Sequence, residues 1–172
     1  MNNRLLSQIL NFLVYVILQV LIVKNFVLFD MAFCYVYVGF LLLLPLDTGK
    51  INLLLLGFFT GLMVDVFYDS IGINAAASVL LMYIRPYWLD MIASRESEDN
   101  MFNPSLRNLG FESFLTYTLP LIFIHHFTLL YLDAGGFHMF LYVLLTVIFS
   151  TMFSALLIII FQYLFYPKRR TI

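Results

Sequence analysis

The chain has 172 residues, of which 63% are hydrophobic and 11% charged, with a formal net charge of −1 and a mean hydropathy of +0.97. A soluble domain of this size still exposes much of its surface, and here too few polar side chains exist to cover it, so a water-soluble globule is excluded and lipid is the expected solvent. The near-zero charge gives no basis for a nucleic-acid partner.

Spans need roughly 20 apolar residues. In chain order the first is expected at about 5–23, closed by Lys24 and Asn25. The opening MNNRLLSQILNFLVYVILQV has an apolar stretch too long for a secretory leader and no small-residue cleavage pattern after it, so it is expected as an uncleaved span. The second is expected at about 30–46, ending at Pro45, Asp47 and Gly49; its Cys34 reads as a small buried or lipid-facing hydrophobe. The third covers about 51–68, interrupted only by Asp65, and a tight turn at Asp69–Ser70 leads into the fourth, at about 71–92 if Arg85 snorkels. The polar stretch Ser94–Ser113 follows, with Arg95, Glu96, Glu98, Asp99 and Arg107. The fifth span is expected at about 114–132, a Gly135–Gly136 turn comes next, and the sixth runs over about 137–166.

Backbone polar groups find no partner in hydrocarbon, so a span is either a helix or a strand of a closed barrel. Runs such as LLLLGFFTGLMV and LLIIIFQYLF lack the alternation of barrel strands. The expected fold is all-α, a polytopic membrane protein with six transmembrane helices in a single integral membrane domain. Lys and Arg set its orientation. With both termini cytoplasmic, Arg4, Lys50, Arg85, Arg95, Arg107, Lys168, Arg169 and Arg170 lie inside and only Lys24 outside. Arg85, Trp88, Lys168, Arg169 and Arg170 are then expected to anchor the cytoplasmic interface, with Tyr83, Tyr87 and Tyr163 in the same aromatic belt.

Asp65 is the most informative residue. A carboxylate within a span marks a functional site by default, yet its place three residues from the span's end, about 5 Å below the interface at 1.5 Å per residue, favours a structural role there over a direct proton or ion role. Lys24, at the outer end of the first span, is its candidate ion-pair partner. Gly57, Gly61 and Asp65 share one helical face, and Gly72, Ala75 and Ala76 open the next span with small residues. Such faces let helix backbones approach closely in lipid. On this reading bulk at Gly61 harms the protein more than loss of charge at Asp65, because water reaches a carboxylate near the interface. His125 and His126 point about 100° apart and do not suit one metal ion; one is expected to bond across helices, the other to sit near the outer interface. No nucleophile, zinc or phosphate-loop motif is present, so no enzyme and no cofactor is expected.

The stretch GFFTGLMVDVFYDSIGINAAASVLLMYIRP, from Gly57 to Pro86, resembles the MreD family of bacterial rod shape-determining membrane proteins. Gly61, Leu62, Asp65, Gly72 and Ala75 carry the motif, and length, span number and basic C-terminus agree with it. The resemblance implies a non-catalytic scaffold of the wall-elongation complex in the bacterial inner membrane, needed for rod shape and lateral peptidoglycan synthesis. It also implies an MreC-like single-span partner and, through it, an MreB-like filament and the elongation transglycosylase–transpeptidase pair, with membrane lipids around the spans. The family is similar in fold to the substrate-binding components of energy-coupling-factor vitamin transporters, which supplies the alternative, a small-molecule-binding transport subunit.

Overall fold

The computed structural model describes residues 2–29, 31–93, 104–136 and 138–165. Arg95, Glu96, Glu98, Asp99, Lys168, Arg169 and Arg170, which carry several of the topology and anchoring expectations, lie outside them. The chain is mostly helical. Helix α1 spans Asn2–Leu21, α2 Tyr37–Leu42, α3 Lys50–Tyr68, α4 Ile73–Ala93, α5 Leu106–Leu109, α6 Phe111–Asp133 and α7 Phe140–Phe165. Four stretches, Leu6–Asn25, Lys50–Tyr68, Phe111–Asp133 and Phe140–Leu164, are helices long and apolar enough to cross a bilayer, which marks a membrane protein. Their outward faces are apolar, as at Leu10, Phe59, Leu141 and Met152, so lipid can replace water around them.

Helix α4 runs unbroken through Pro86. Proline removes one helical hydrogen bond, a loss that neighbouring protein can absorb within a packed helix bundle.

The expected second span departs from all-α. Only Tyr37–Leu42 is helical; before it, β1 (Val27–Leu28) and β2 (Ala32–Phe33) form a small antiparallel hairpin pairing Val27 with Phe33 and Leu28 with Ala32. Residues 34–35 lie outside regular structure and Val36 already turns into α2, at φ −68° and ψ −26°, so backbone N–H groups that a helix would satisfy internally need other partners. Long-range side chains provide them. Ser150 Oγ and Ser154 Oγ, one turn apart on α7, accept from Phe33 N and Tyr35 N, both at 2.9 Å. Gln19 Oε1 on α1 accepts from Tyr37 N at 3.3 Å, while Gln19 Nε2 donates to the Cys34 carbonyl at 3.0 Å. Three alternate N–H groups are thus held by side chains in place of a neighbouring strand. Non-helical backbone at membrane depth is tolerated only where protein covers it in this way. Val36, Tyr37 and Val38 are the centre of the core.

Candidate functional site

At the C-terminal end of α3 the chain turns sharply. Asp69 takes a left-handed conformation, φ 54°, and its N–H and that of Ser70 both reach the Asp65 carbonyl. Gly72, at φ +76°, completes the turn and would meet nothing within 4 Å if given a Cβ. Gly72 therefore serves backbone conformation and not helix packing, contrary to the expectation for it. Ala76 is exposed and faces away from α3; the small residues turned inward are Ala75, Ala77 and Ser78.

Below the turn, α3 and α4 lie in backbone contact. A Cβ on Gly61 would stand 2.5 Å from Ala75 Cα and from the Asn74 carbonyl oxygen. One on Gly57 would stand 2.9 Å from the Ser78 carbonyl oxygen and 2.8 Å from Met82 Cγ. Without side chains at these two positions the axes come close enough for dispersion to act along the whole seam.

Asp65 closes the joint. Its Oδ1 accepts from Asn74 N at 2.9 Å, Asn74 Nδ2 at 3.1 Å and Ser70 Oγ at 2.5 Å, and its Oδ2 accepts from Ala75 N at 2.9 Å. The carboxylate of one helix thereby caps the first turn of the next, where free N–H groups and the positive end of the helix dipole favour an anion. Asp65 is only 2% exposed, so the expectation that water reaches it is corrected: close packing at Gly61 seals the carboxylate in.

The expected Lys24–Asp65 ion pair is also corrected. Lys24 Nζ donates to the Phe67 carbonyl and lies 5.2 Å from the centroid of the Tyr68 ring. Each charge takes the helix terminus of matching polarity, the cation at the C-terminal end of α3 and the anion at the N-terminal end of α4.

Inward from this joint a buried polar chain continues. The Tyr37 hydroxyl lies 3.1 Å from Asn74 Oδ1, 3.3 Å from Ser78 Oγ and 2.8 Å from His125 Nε2. Its single proton goes to Asn74 Oδ1, so His125 donates from Nε2, and its Nδ1 is left without a partner. His126 bonds the Ile122 carbonyl through Nδ1 at 2.8 Å and Ser154 Oγ through Nε2 at 2.9 Å. Both imidazoles are fully buried in protein, and both bond to another element. They diverge to α2 on one side and α7 on the other. Gln19 Nε2 also donates to the Tyr68 hydroxyl at 2.6 Å, linking α1 to the end of α3.

At the other end of α2 the partner is Arg85. It does not snorkel; it is 1% exposed. Its Nε donates to the Tyr117 hydroxyl at 2.7 Å, its Nη2 donates to the carbonyls of Leu42 (3.3 Å) and Leu44, and the Tyr117 hydroxyl donates to Leu42 O at 2.7 Å. A six-residue helix leaves several carbonyls unsatisfied at its C-terminus, and a planar, forked cation beside the negative end of the dipole satisfies them. The cost of burying the charge is met by these bonds. Trp88, one turn on, is half-buried with its indole nitrogen unpartnered. At this end Lys50 Nζ lies 5.1 Å from the centroid of the Tyr87 ring. Arg85→Lys is expected to lower the stability of the purified protein by about 2 kcal/mol, because a point cation cannot span both carbonyls and Tyr117. Tyr117→Phe is expected to cost about 1–2 kcal/mol through the orphaned Leu42 carbonyl. Thermal unfolding in detergent measures both.

Asn74, Tyr37, Gln19, Tyr117, Ser150 and Ser154 are functional positions the sequence reading does not single out; Gln19 and Ser154 stand alone as polar residues in apolar runs, whereas Tyr117 sits between Thr116 and Thr118 and Ser150 beside Thr151, so their signal is weaker. Among the described residues no three of His, Cys, Asp and Glu come together.

Comparison with family models, curated proteins and solved structures finds no match. The polar chain of Asp65, Asn74, Tyr37 and His125, with Arg85 and Tyr117 below it, accordingly stands on its own geometry. Its ends hold backbone, Asp65 at the first turn of α4 and Arg85 with Tyr117 at the end of α2, while Tyr37 and His125 join side chains of α2, α4 and α6.

Proposed function

We propose that the chain is a six-pass, non-catalytic scaffold of the bacterial wall-elongation complex, resembling the MreD family, with both termini in the cytoplasm of a cell whose inner membrane it crosses. One observation carries the reading: Gly61, Asp65 and Ala75, which bear the resemblance, meet in a single joint where the carboxylate caps α4. A motif with that role serves architecture, and a scaffold needs a fixed architecture to present its surfaces.

Six passes also accord with the short α2. Residues 32–35, outside helix at up to about 3.3 Å each, reach about 13 Å, and Val36 with the six residues of α2 adds about 10 Å at helical rise. Together they cover most of the roughly 30 Å hydrocarbon thickness. Helix α4 supplies the remaining pass. Reporter fusions at Asp69 and Gly135 are expected to report the far side and fusions within 96–103 the cytoplasm. A cytoplasmic signal at Gly135 would refute the six-pass arrangement.

The partners follow from the same reading: an MreC-like single-span protein directly, and an MreB-like filament and the elongation transglycosylase–transpeptidase pair through it. Crosslinking in native membranes followed by pull-down is expected to recover the single-span protein and the synthase pair. Recovery of transporter subunits in their place would favour the vitamin-transporter alternative, although the cavity of about 400 Å³ between α4 and α6 lies at the end that this topology places in the cytoplasm.

A further inference from the structure

That cavity lies where α4 ends and α6 begins, with Leu46, Trp88, Leu89, Ile92, Leu109 and Glu112 in its walls. About 400 Å³ falls in the range of small-molecule sites. The walls are largely apolar, and Met91, which also lines it, is 57% exposed, so the apolar surface continues onto the outside of the bundle. The cavity's polar lining comes from Glu112, Ser113 and Thr116, and of these only Glu112 carries a charge; its side chain is exposed. The neighbouring Thr116 hydroxyl is already committed, donating to the Glu112 carbonyl at 3.0 Å. Trp88 adds an aromatic ring. A carboxylate and an indole lining one cavity favour a cation, by charge and by the ring's negative face.

The level of the cavity narrows the choice of cation. Tyr83 and Tyr87 on the same helix are more than half exposed, and Lys50 packs on Tyr87, the arrangement found at a membrane–water interface. A ligand here has its polar end at the headgroups and its apolar end in hydrocarbon. We propose that the cavity binds a phospholipid with a primary ammonium headgroup, of the ethanolamine type, with the ammonium between Glu112 and the Trp88 ring and one acyl chain along Leu89 and Ile92. An anionic glycerol headgroup is repelled by Glu112. A choline headgroup keeps the charge but has no N–H to donate. The proposal requires only that the chain sits in a bilayer, and is independent of any role in wall synthesis.

The test is native mass spectrometry of the full-length protein, exchanged in detergent against an equimolar mixture of phosphatidylethanolamine, phosphatidylglycerol and phosphatidylcholine. Wild type is expected to retain the ethanolamine lipid over the glycerol lipid by about ten-fold, the combined effect of an ion pair and a cation–π contact. Glu112→Gln is expected to reduce that preference to about two-fold, and Trp88→Leu to weaken retention of the ethanolamine and choline lipids together. Equal retention of the three lipids by wild type would overturn the proposal whatever the variants do. A preference unchanged in folded Glu112→Gln would overturn it too, as would loss of all lipid to an added lysine-rich peptide, which would assign the cavity to a basic protein segment.

Discussion

Gly61→Ala should remove most of the folded protein from the membrane, although it adds a single methyl group. That methyl would stand 2.5 Å from Ala75 Cα and the Asn74 carbonyl oxygen, and no rotamer change relieves a clash with backbone. The helices must part, which loses dispersion along the seam and withdraws the first turn of α4 from the Asp65 carboxylate. Overpacking ordinarily costs 1–3 kcal/mol; loss of the cap adds to it, for a total of about 4 kcal/mol, a large fraction of the stability of an ordinary domain. Gly72→Ala is the internal control. It lies eleven residues away at the same joint, in open space, and should cost only the left-handed backbone penalty of about 1 kcal/mol. Membrane abundance by blot, with thermal unfolding of whatever is recovered, separates the two variants. Comparable abundance would mean that α3 and α4 do not touch as described.

Asp65→Ala should be nearly as damaging, at about 4 kcal/mol, because it strands two buried backbone N–H groups together with Ser70 and Asn74. The milder Asp65→Asn is informative. Its amide oxygen can replace Oδ1, but its amide nitrogen then confronts Ala75 N–H, donor against donor. About 2–3 kcal/mol is the expected loss, with a visible drop in abundance. The sequence alone leads to a milder expectation for loss of this charge, a carboxylate within reach of water, because depth along a helix says nothing about what packs over the residue. The structure buries Asp65, and the prediction changes with it. Asp65→Glu should recover little, since the longer side chain cannot hold both N–H groups of α4 at 2.9 Å.

Much of the fold was legible because the solvent is lipid. An apolar run of sufficient length in hydrocarbon must close its own hydrogen bonds, and α1, α3, α6 and α7 follow from that alone. The segment expected as the second span escaped the argument. FCYVYVGF reads as one more apolar run, yet Phe33, Tyr35 and Tyr37 alternate with Cys34, Val36 and Val38, a period of two rich in β-branched and aromatic residues. That alternation was the available clue. It could not reveal that Ser150 and Ser154, more than 100 residues away, would hold the freed N–H groups.

The candidate site divides in the same way. That Gly61 and Asp65 mattered was readable from their shared face and from the cost of a carboxylate in a span. Which groups they meet was not, because Asn74, Ala75 and the turn are positioned by tertiary packing. Arg85 is the clearest case. A cation near the end of a span is ordinarily drawn toward headgroups, and only the shortness of α2, with its unsatisfied carbonyls, turns it inward.

The central claim is that the buried polar groups act by holding the scaffold and take no part in chemistry or transport. It is tested most directly by expressing Asp65→Asn, Asp65→Ala, Arg85→Lys, Tyr117→Phe and His125→Gln in a rod-shaped bacterium lacking its own copy of the gene, and plotting restored rod shape against membrane abundance. All five variants should fall on one curve with graded dilutions of wild type, so that shape is lost only as protein is lost. A variant present at wild-type abundance that leaves the cells round would contradict the claim, and would assign that side chain a role in contact with something outside this chain.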